Sequence, residues 1–178
     1  MLERLPALSD QWSSALGEPT DLGIGLNTGL ARVGNTGSAR KFKYGPLGNT
    51  VNLASRVQGA TKFVRTPLVI TGATADQIGD EFPKRRLCSA EVVNIAEPVV
   101  LYELRADADA AWPDLRQRYE MALEAYEREA FHEAARILGN LLTDCPGDGP
   151  TMILLSRAVD MLAHPPEQFS PVWKLSGK

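Results

Sequence analysis

Asn52 and Arg56 stand four residues apart in the stretch Gly48-Asn49-Thr50-Val51-Asn52-Leu53-Ala54-Ser55-Arg56. On a helix this spacing stacks an amide and a guanidinium on one face, while Val51, Leu53, Ala54 and Val57 pack elsewhere. An Asn amide can donate to a sugar oxygen, and an Arg fork can clamp a phosphate. The N-terminus of the same helix favours an anion. A surface Asn and Arg on any helix would give the same pattern, so the pair alone fits a solvated face as well as a nucleotide site.

The charge around this stretch is one-sided. From residue 22 to residue 75 there are seven basic residues (Arg32, Arg40, Lys41, Lys43, Arg56, Lys62, Arg65) and no acidic one. The rest of the chain holds 12 basic and 22 acidic residues, so the net charge of −3 hides two opposite regions. A basic segment rich in Gly and Asn suits an anionic ligand, because small residues let backbone amides approach phosphates. Nucleotide and RNA are both candidates, and a solvated basic face without a ligand is the plain alternative.

Other chemistries find little support. Gly23-Ile24-Gly25-Leu26-Asn27-Thr28 lacks the third glycine of a dinucleotide fingerprint, and Gly34-Asn35-Thr36-Gly37-Ser38-Ala39-Arg40-Lys41 misses the P-loop spacing. Cys88 and Cys145 have no CxxC neighbour, and His132 and His164 lack metal-ligand spacing. No histidine lies near a glycine-framed serine. No apolar run reaches the roughly 18 to 20 residues that span a bilayer, and no signal-peptide core opens the chain. A soluble, cytoplasmic protein is therefore expected. The length of 178 residues with 44% hydrophobic content allows one domain and a short appendage.

The elements that must position Asn52 and Arg56 follow from periodicity. Leu2, Leu5, Leu8, Trp12, Ala15 and Leu16 predict a helix. Residues 22–28 alternate like a strand, and Asn27-Thr28-Gly29 is expected to turn the chain into a second strand at 30–34. A strand near 41–44 and a turn at 45–48 come next. Asn49-Thr50 offers an N-cap for a helix ending near Phe63. Residues 67–71 read as strand, 73–78 as helix, and 86–95 and 99–104 as two closing strands. This implies an α+β sheet domain over residues 1–105 with helices on one side. Residues 106–114 read as a linker. Over 115–178 a helical tail follows, with Leu115, Tyr119, Ala122, Leu123 and Tyr126 on one face, then helices at 131–142 and 151–162. The spacing from Ala134 to Pro146 resembles one tetratricopeptide-type unit, which cannot bury its own faces and is expected to dock on the sheet or on a partner.

Three blocks, Gly23 to Gly29, Val33 to Ser38 and Gly48 to Arg56, resemble in order and spacing the C-terminal half of the class III adenylate/guanylate cyclase catalytic domain. The likeness runs from about Leu2 to Leu104. It implies a partial ferredoxin-like cyclase fold, with cyclic-nucleotide signalling as the role and cAMP as the expected product. In that family a head-to-tail dimer builds composite sites: one protomer's aspartates hold two Mg²⁺ or Mn²⁺ ions, and the other supplies an Asn and an Arg. Asn52 matches the ribose-orienting residue and Arg56 the one stabilising charge on the α-phosphate. Gly45 and Asn49 fall at nucleotide-binding positions. The implied partners are a nucleoside triphosphate, with ATP expected and no nucleic acid, and a second protomer or another chain.

The sequence also departs from the family. The Phe-x-Asp-Ile-x-Gly-Phe block and the Gly-Asp turn that carry the metal-binding aspartates are absent, so a split or truncated product, inactive alone, is expected. The base-selecting Asp or Thr is replaced by Gly45, and no Lys occurs in Val93-Asn94-Ile95-Ala96-Glu97. A non-catalytic interaction module derived from a cyclase is the alternative.

Overall fold

A computed structural model describes residues 2–17, 21–38, 41–92, 95, 97–105 and 108–175. Arg40 and three residues of the expected lysine stretch, Val93, Asn94 and Ala96, lie outside them, as do the side chains of Lys41 and Lys43. The described elements in chain order are α1 (Leu5–Leu16), β1 (Ile24–Leu26), β2 (Arg32–Ser38), β3 (Lys41–Leu47), α2 (Asn49–Val64), β4 (Leu68–Thr71), α3 (Gly72–Ile78), β5 (Lys84–Glu91), β6 (Val99–Leu104), α4 (Trp112–Glu127), α5 (Phe131–Asp144), α6 (Gly149–Ala163) and β7 (Trp173–Lys174). A short 3-10 turn, Leu2–Arg4, precedes α1.

The α+β arrangement expected from the sequence is present. Five strands form one sheet in the order β1-β4-β6-β5-β7, and β2 and β3 form a separate two-stranded hairpin. This corrects the expected pairing of 22–28 with 30–34. β1 instead runs parallel to β4, with Ile24 opposite Leu68, and β2 pairs antiparallel with β3, with Arg32 opposite Leu47. The predicted 45–48 turn is therefore mostly strand, since β3 continues through Gly45 and Pro46 to Leu47. A parallel neighbour must arrive by a long crossover, and here α2 supplies it.

α2 crosses β1 at very close range. A β-carbon at Gly25 would collide with the backbone of Gln58 in α2, so only glycine allows this approach. The buried side of α2 is Val57, Ala60, Thr61 and Val64. Val57, Ala60 and Val64 join Val69, Leu87 and Leu101 from the sheet and Leu115, Tyr119, Leu138 and Leu154 from the later helices in one hydrophobic cluster. The helical extension thus packs on the sheet through a continuous core. In α4 the face read from sequence is the face that is buried: Leu115, Tyr119, Ala122, Leu123 and Tyr126. The chain then folds back so that Phe169 stacks edge-on against Tyr126 and Phe131, with centroids 5.4 and 5.1 Å away.

The two ends of the sheet differ. Beside β5, the Arg86 N–H donates to the Glu120 carboxylate (2.9 Å) and the Leu87 carbonyl accepts from the Tyr119 hydroxyl (3.0 Å). Side chains of α4 thus occupy the place of a further strand, and β7 adds a short parallel pairing at Ala90 and Glu91. At the other end, no described strand pairs with the outer edge of β1. Cys88 and Cys145 are unbridged. Burial pushes the Cys88 thiol up to about 12, which makes it a poor nucleophile.

Candidate nucleotide site

Residue types that could meet an anion lie along α2, from Asn49 and Asn52 near its start to Arg56 midway and Lys62 in its last turn. Gly48 is the N-cap, with no side-chain cap, and its carbonyl accepts from Val51 (3.1 Å) and Asn52 (3.2 Å). The expected cap at Asn49-Thr50 is therefore one residue late: Asn49 is already the first helical residue and is exposed. Thr50 turns away from the helix end. Its hydroxyl donates to the Leu30 carbonyl (2.6 Å), while its own carbonyl accepts from the Asn27 amide (3.0 Å).

Asn27 makes the site rigid in a way its sequence neighbours did not announce. Its Oδ1 accepts from the Thr71 hydroxyl (2.8 Å), and Thr28 shares a hydrogen bond with Thr74 (3.0 Å). The loop after β1 is thereby tied to α2 on one side and to the β4–α3 junction on the other. Asn27-Thr28-Gly29 is a tie and not a hairpin turn. The recurrence of Asn-Thr in the glycine-rich blocks was the available signal.

Asn52 and Arg56 are both exposed on α2, one turn apart, as the four-residue spacing requires. Neither side chain makes a hydrogen bond or ion pair with another described residue. Gly45 lies in β3 opposite Gly34, and a β-carbon there would meet nothing within 4 Å, so the hairpin has room for a side chain it does not carry. Arg32, Lys62 and Arg65 are exposed as well. The exposed side of α2 thus presents amides at Asn49 and Asn52 and a guanidinium at Arg56, groups whose chemistry suits a phosphorylated sugar.

It does not offer a divalent-metal donor set. Mg²⁺ and Mn²⁺ prefer carboxylate oxygens, and residues 22–75 contain no carboxylate side chain. Among the described residues no three His, Cys, Asp or Glu side chains gather to hold an ion. No helix among them is long and apolar enough to cross a membrane.

No protein-family model matches the sequence. Curated proteins and solved structures do. The chain is 30% identical over 146 residues to the terminal-differentiation-specific adenylate cyclase of Dictyostelium discoideum, covering 78% of this chain and 7% of that protein. It is 35% identical over 81 residues to adenylate cyclase 1 of Rhizobium meliloti, covering 46% of this chain and 12% of that one. Among solved structures, the adenylyl cyclase CyaB from P. aeruginosa superposes with a TM-score of 0.50 at 29% identity, over 61% of this chain and 54% of that one. The chain thus spans a small part of its curated relatives and about half of the solved cyclase. A match over 78% of the chain is longer than residues 1–105, so the likeness to the Dictyostelium protein continues into the helices beyond the sheet. Fold, motif blocks and relatives agree: the chain carries part of a class III adenylate/guanylate cyclase domain.

Proposed function

We propose that this chain is the nucleotide-gripping half of a cyclase catalytic unit, producing cAMP and pyrophosphate from ATP when a second protomer or another polypeptide supplies the metal-binding aspartates. The observation that carries the reading is the unpartnered, exposed Asn52/Arg56 pair, one turn apart in an acid-free segment. The open outer edge of β1 supports it further, as a place where a strand of the completing half can pair.

In the reaction the ribose 3′-oxygen attacks the α-phosphorus, the bond to the bridging oxygen breaks, pyrophosphate leaves and the 3′-hydroxyl proton is lost. Asn52 orients the ribose so that the 3′-oxygen faces the phosphorus. Arg56 meets the negative charge that grows on the α-phosphate, and Asn49 and Gly45 border the nucleotide. Divalent ions held by the completing half would activate the nucleophile and leaving group, chemistry for which this chain offers no ligands.

The test is complementation. The purified chain with Mn²⁺ and ATP should release no cAMP, and adding a cyclase half that bears the metal aspartates should restore release. A substantial rate from the chain alone contradicts the half-site reading. An unchanged rate for Arg56→Ala in the complemented complex removes the nucleotide role. A second reading, a non-catalytic interaction module, draws on the apolar side chains left in solvent, with Leu30 98% and Tyr44 70% exposed. It gains if no complementing half restores turnover while the chain still associates with one.

A further inference from the structure

The helix that carries Asn52 and Arg56 is held at three places. At its start are the Thr50 and Asn27 bonds, and midway is the close crossing at Gly25. At its exit the chain passes through Arg65 in the left-handed conformation (φ 52, ψ 46). A β-carbon at Gly149 would collide with the Arg65 carbonyl oxygen, so the first turn of α6 is seated directly on this exit.

One residue further on, a buried polar chain begins. The Thr66 hydroxyl donates to Glu103 (2.7 Å), Glu103 accepts from Arg85 Nε (2.5 Å), and Arg85 forks onto both oxygens of Asp148 (2.9 and 2.7 Å). Asp148 is the N-cap of α6 and also accepts from the Thr151 amide (3.0 Å) and hydroxyl. Arg85 is fully buried, with its guanidinium 4.6 Å from the Tyr119 ring centroid and 5.4 Å from that of Trp112. A guanidinium committed to two carboxylates and two rings has one geometry, and sliding α6 would strand a charge.

We propose that Arg85 and Asp148 are positioning residues for Asn52 and Arg56, and that the helical extension braces the exit of α2 to set the pitch of its nucleotide-facing side. The proposal rests on the nucleotide role assigned above to that side of α2. With its exit freed, α2 tilts about the crossing at Gln58, and the Arg56 fork, at the end of a long side chain, shifts by a fraction of an ångström for a few degrees of tilt, towards the displacement of about 1 Å that can cost about 10²-fold in rate.

Two variants of the full chain test it: Asp148→Asn, which keeps shape and removes charge, and Gly149→Ala, which lifts α6 from Arg65 and leaves the charges intact. Hydrogen exchange should quicken by about tenfold or more over residues 57–64 in both, with β6 unchanged, because only the local opening of α2 is released. In the complex with a metal-bearing cyclase half, kcat for ATP with Mn²⁺ should fall while KM holds, since the lost contact is made in the transition state. Faster exchange confined to α6, a uniform rise across the sheet, or faster exchange in α2 with kcat unmoved overturns the brace. An Arg56→Ala control that keeps full rate overturns the nucleotide role instead, and the exchange data still decide whether α6 holds α2.

Discussion

Residues 22–75 and the region from β5 to α6 treat most of their described cations in opposite ways. In the first, Arg32, Arg56, Lys62 and Arg65 are exposed and none forms an ion pair with a described residue. In the second, Arg85 is shared by Glu103 and Asp148, Arg86 by Glu127, Arg118 by Asp114 and Asp144, and Arg128 by Glu133. The difference is not in the number of basic residues but in whether carboxylates accompany them. An exposed cation without a partner costs the fold little and is free to meet a ligand. A buried cation with two partners holds elements together and has no capacity left to bind anything else.

Arg85 and Arg56 test this contrast most directly. Arg85→Met should lower unfolding free energy by about 3 to 5 kcal/mol, read from the urea midpoint, because two buried carboxylates lose their counter-charge. A loss below about 1 kcal/mol would mean that the buried network adds nothing beyond packing. Arg56→Ala should do the reverse: stability within about 0.5 kcal/mol of the parent, with the complemented cyclase rate down about 10² to 10³. If both variants behave alike, the division between structural and ligand-facing cations fails.

Acid sharpens the same division. Burial alone would raise the Asp148 carboxyl, but the Arg85 guanidinium and the Thr151 donors outweigh it and hold the group below its ordinary 3.8. A lowered folded value means its stabilisation is complete above the ordinary value and disappears as pH falls through the folded one. Thermal melts should therefore stay flat above pH ~4 and decline below it, and Asp148→Asn should flatten this group's share of the decline. The smallest effect is that of salt. Raising ionic strength from ~0.05 to ~0.5 M should weaken ATP binding by the complemented complex several-fold and leave the melting temperature nearly fixed, since screening reaches exposed cations far more than buried ones.

Some of this is legible in the sequence itself. β6 falls at the expected 99–104, α2 starts within one or two residues of its expected cap, and five of the buried α4 residues, Leu115, Tyr119, Ala122, Leu123 and Tyr126, are the expected ones, because a long periodic stripe of apolar side chains records its own burial. Strand partners were not legible. Residues 24–26 alternate equally well for a neighbour on either side, and the choice of β4 depends on a crossover and on Gly25 meeting Gln58. Arg85 was also hidden: in a strand beside Lys84 and Arg86 it resembles a solvated charge, and its burial exists only because Asp148 arrives from 63 residues away. Asn52 and Arg56 were readable as a pair from spacing alone. The Asn27 tie that steadies their helix depends on Thr50 and Thr71, which only the fold brings together.

The closure of β5 by the Tyr119 hydroxyl and the Glu120 carboxylate reaches beyond the single chain. A sheet with both rims bare can extend indefinitely, one copy after another, into a fibre. Here part of the β5 rim is capped by side chains and part by the two-residue β7, so among the described residues the three-residue β1 presents the longer bare backbone to an added strand.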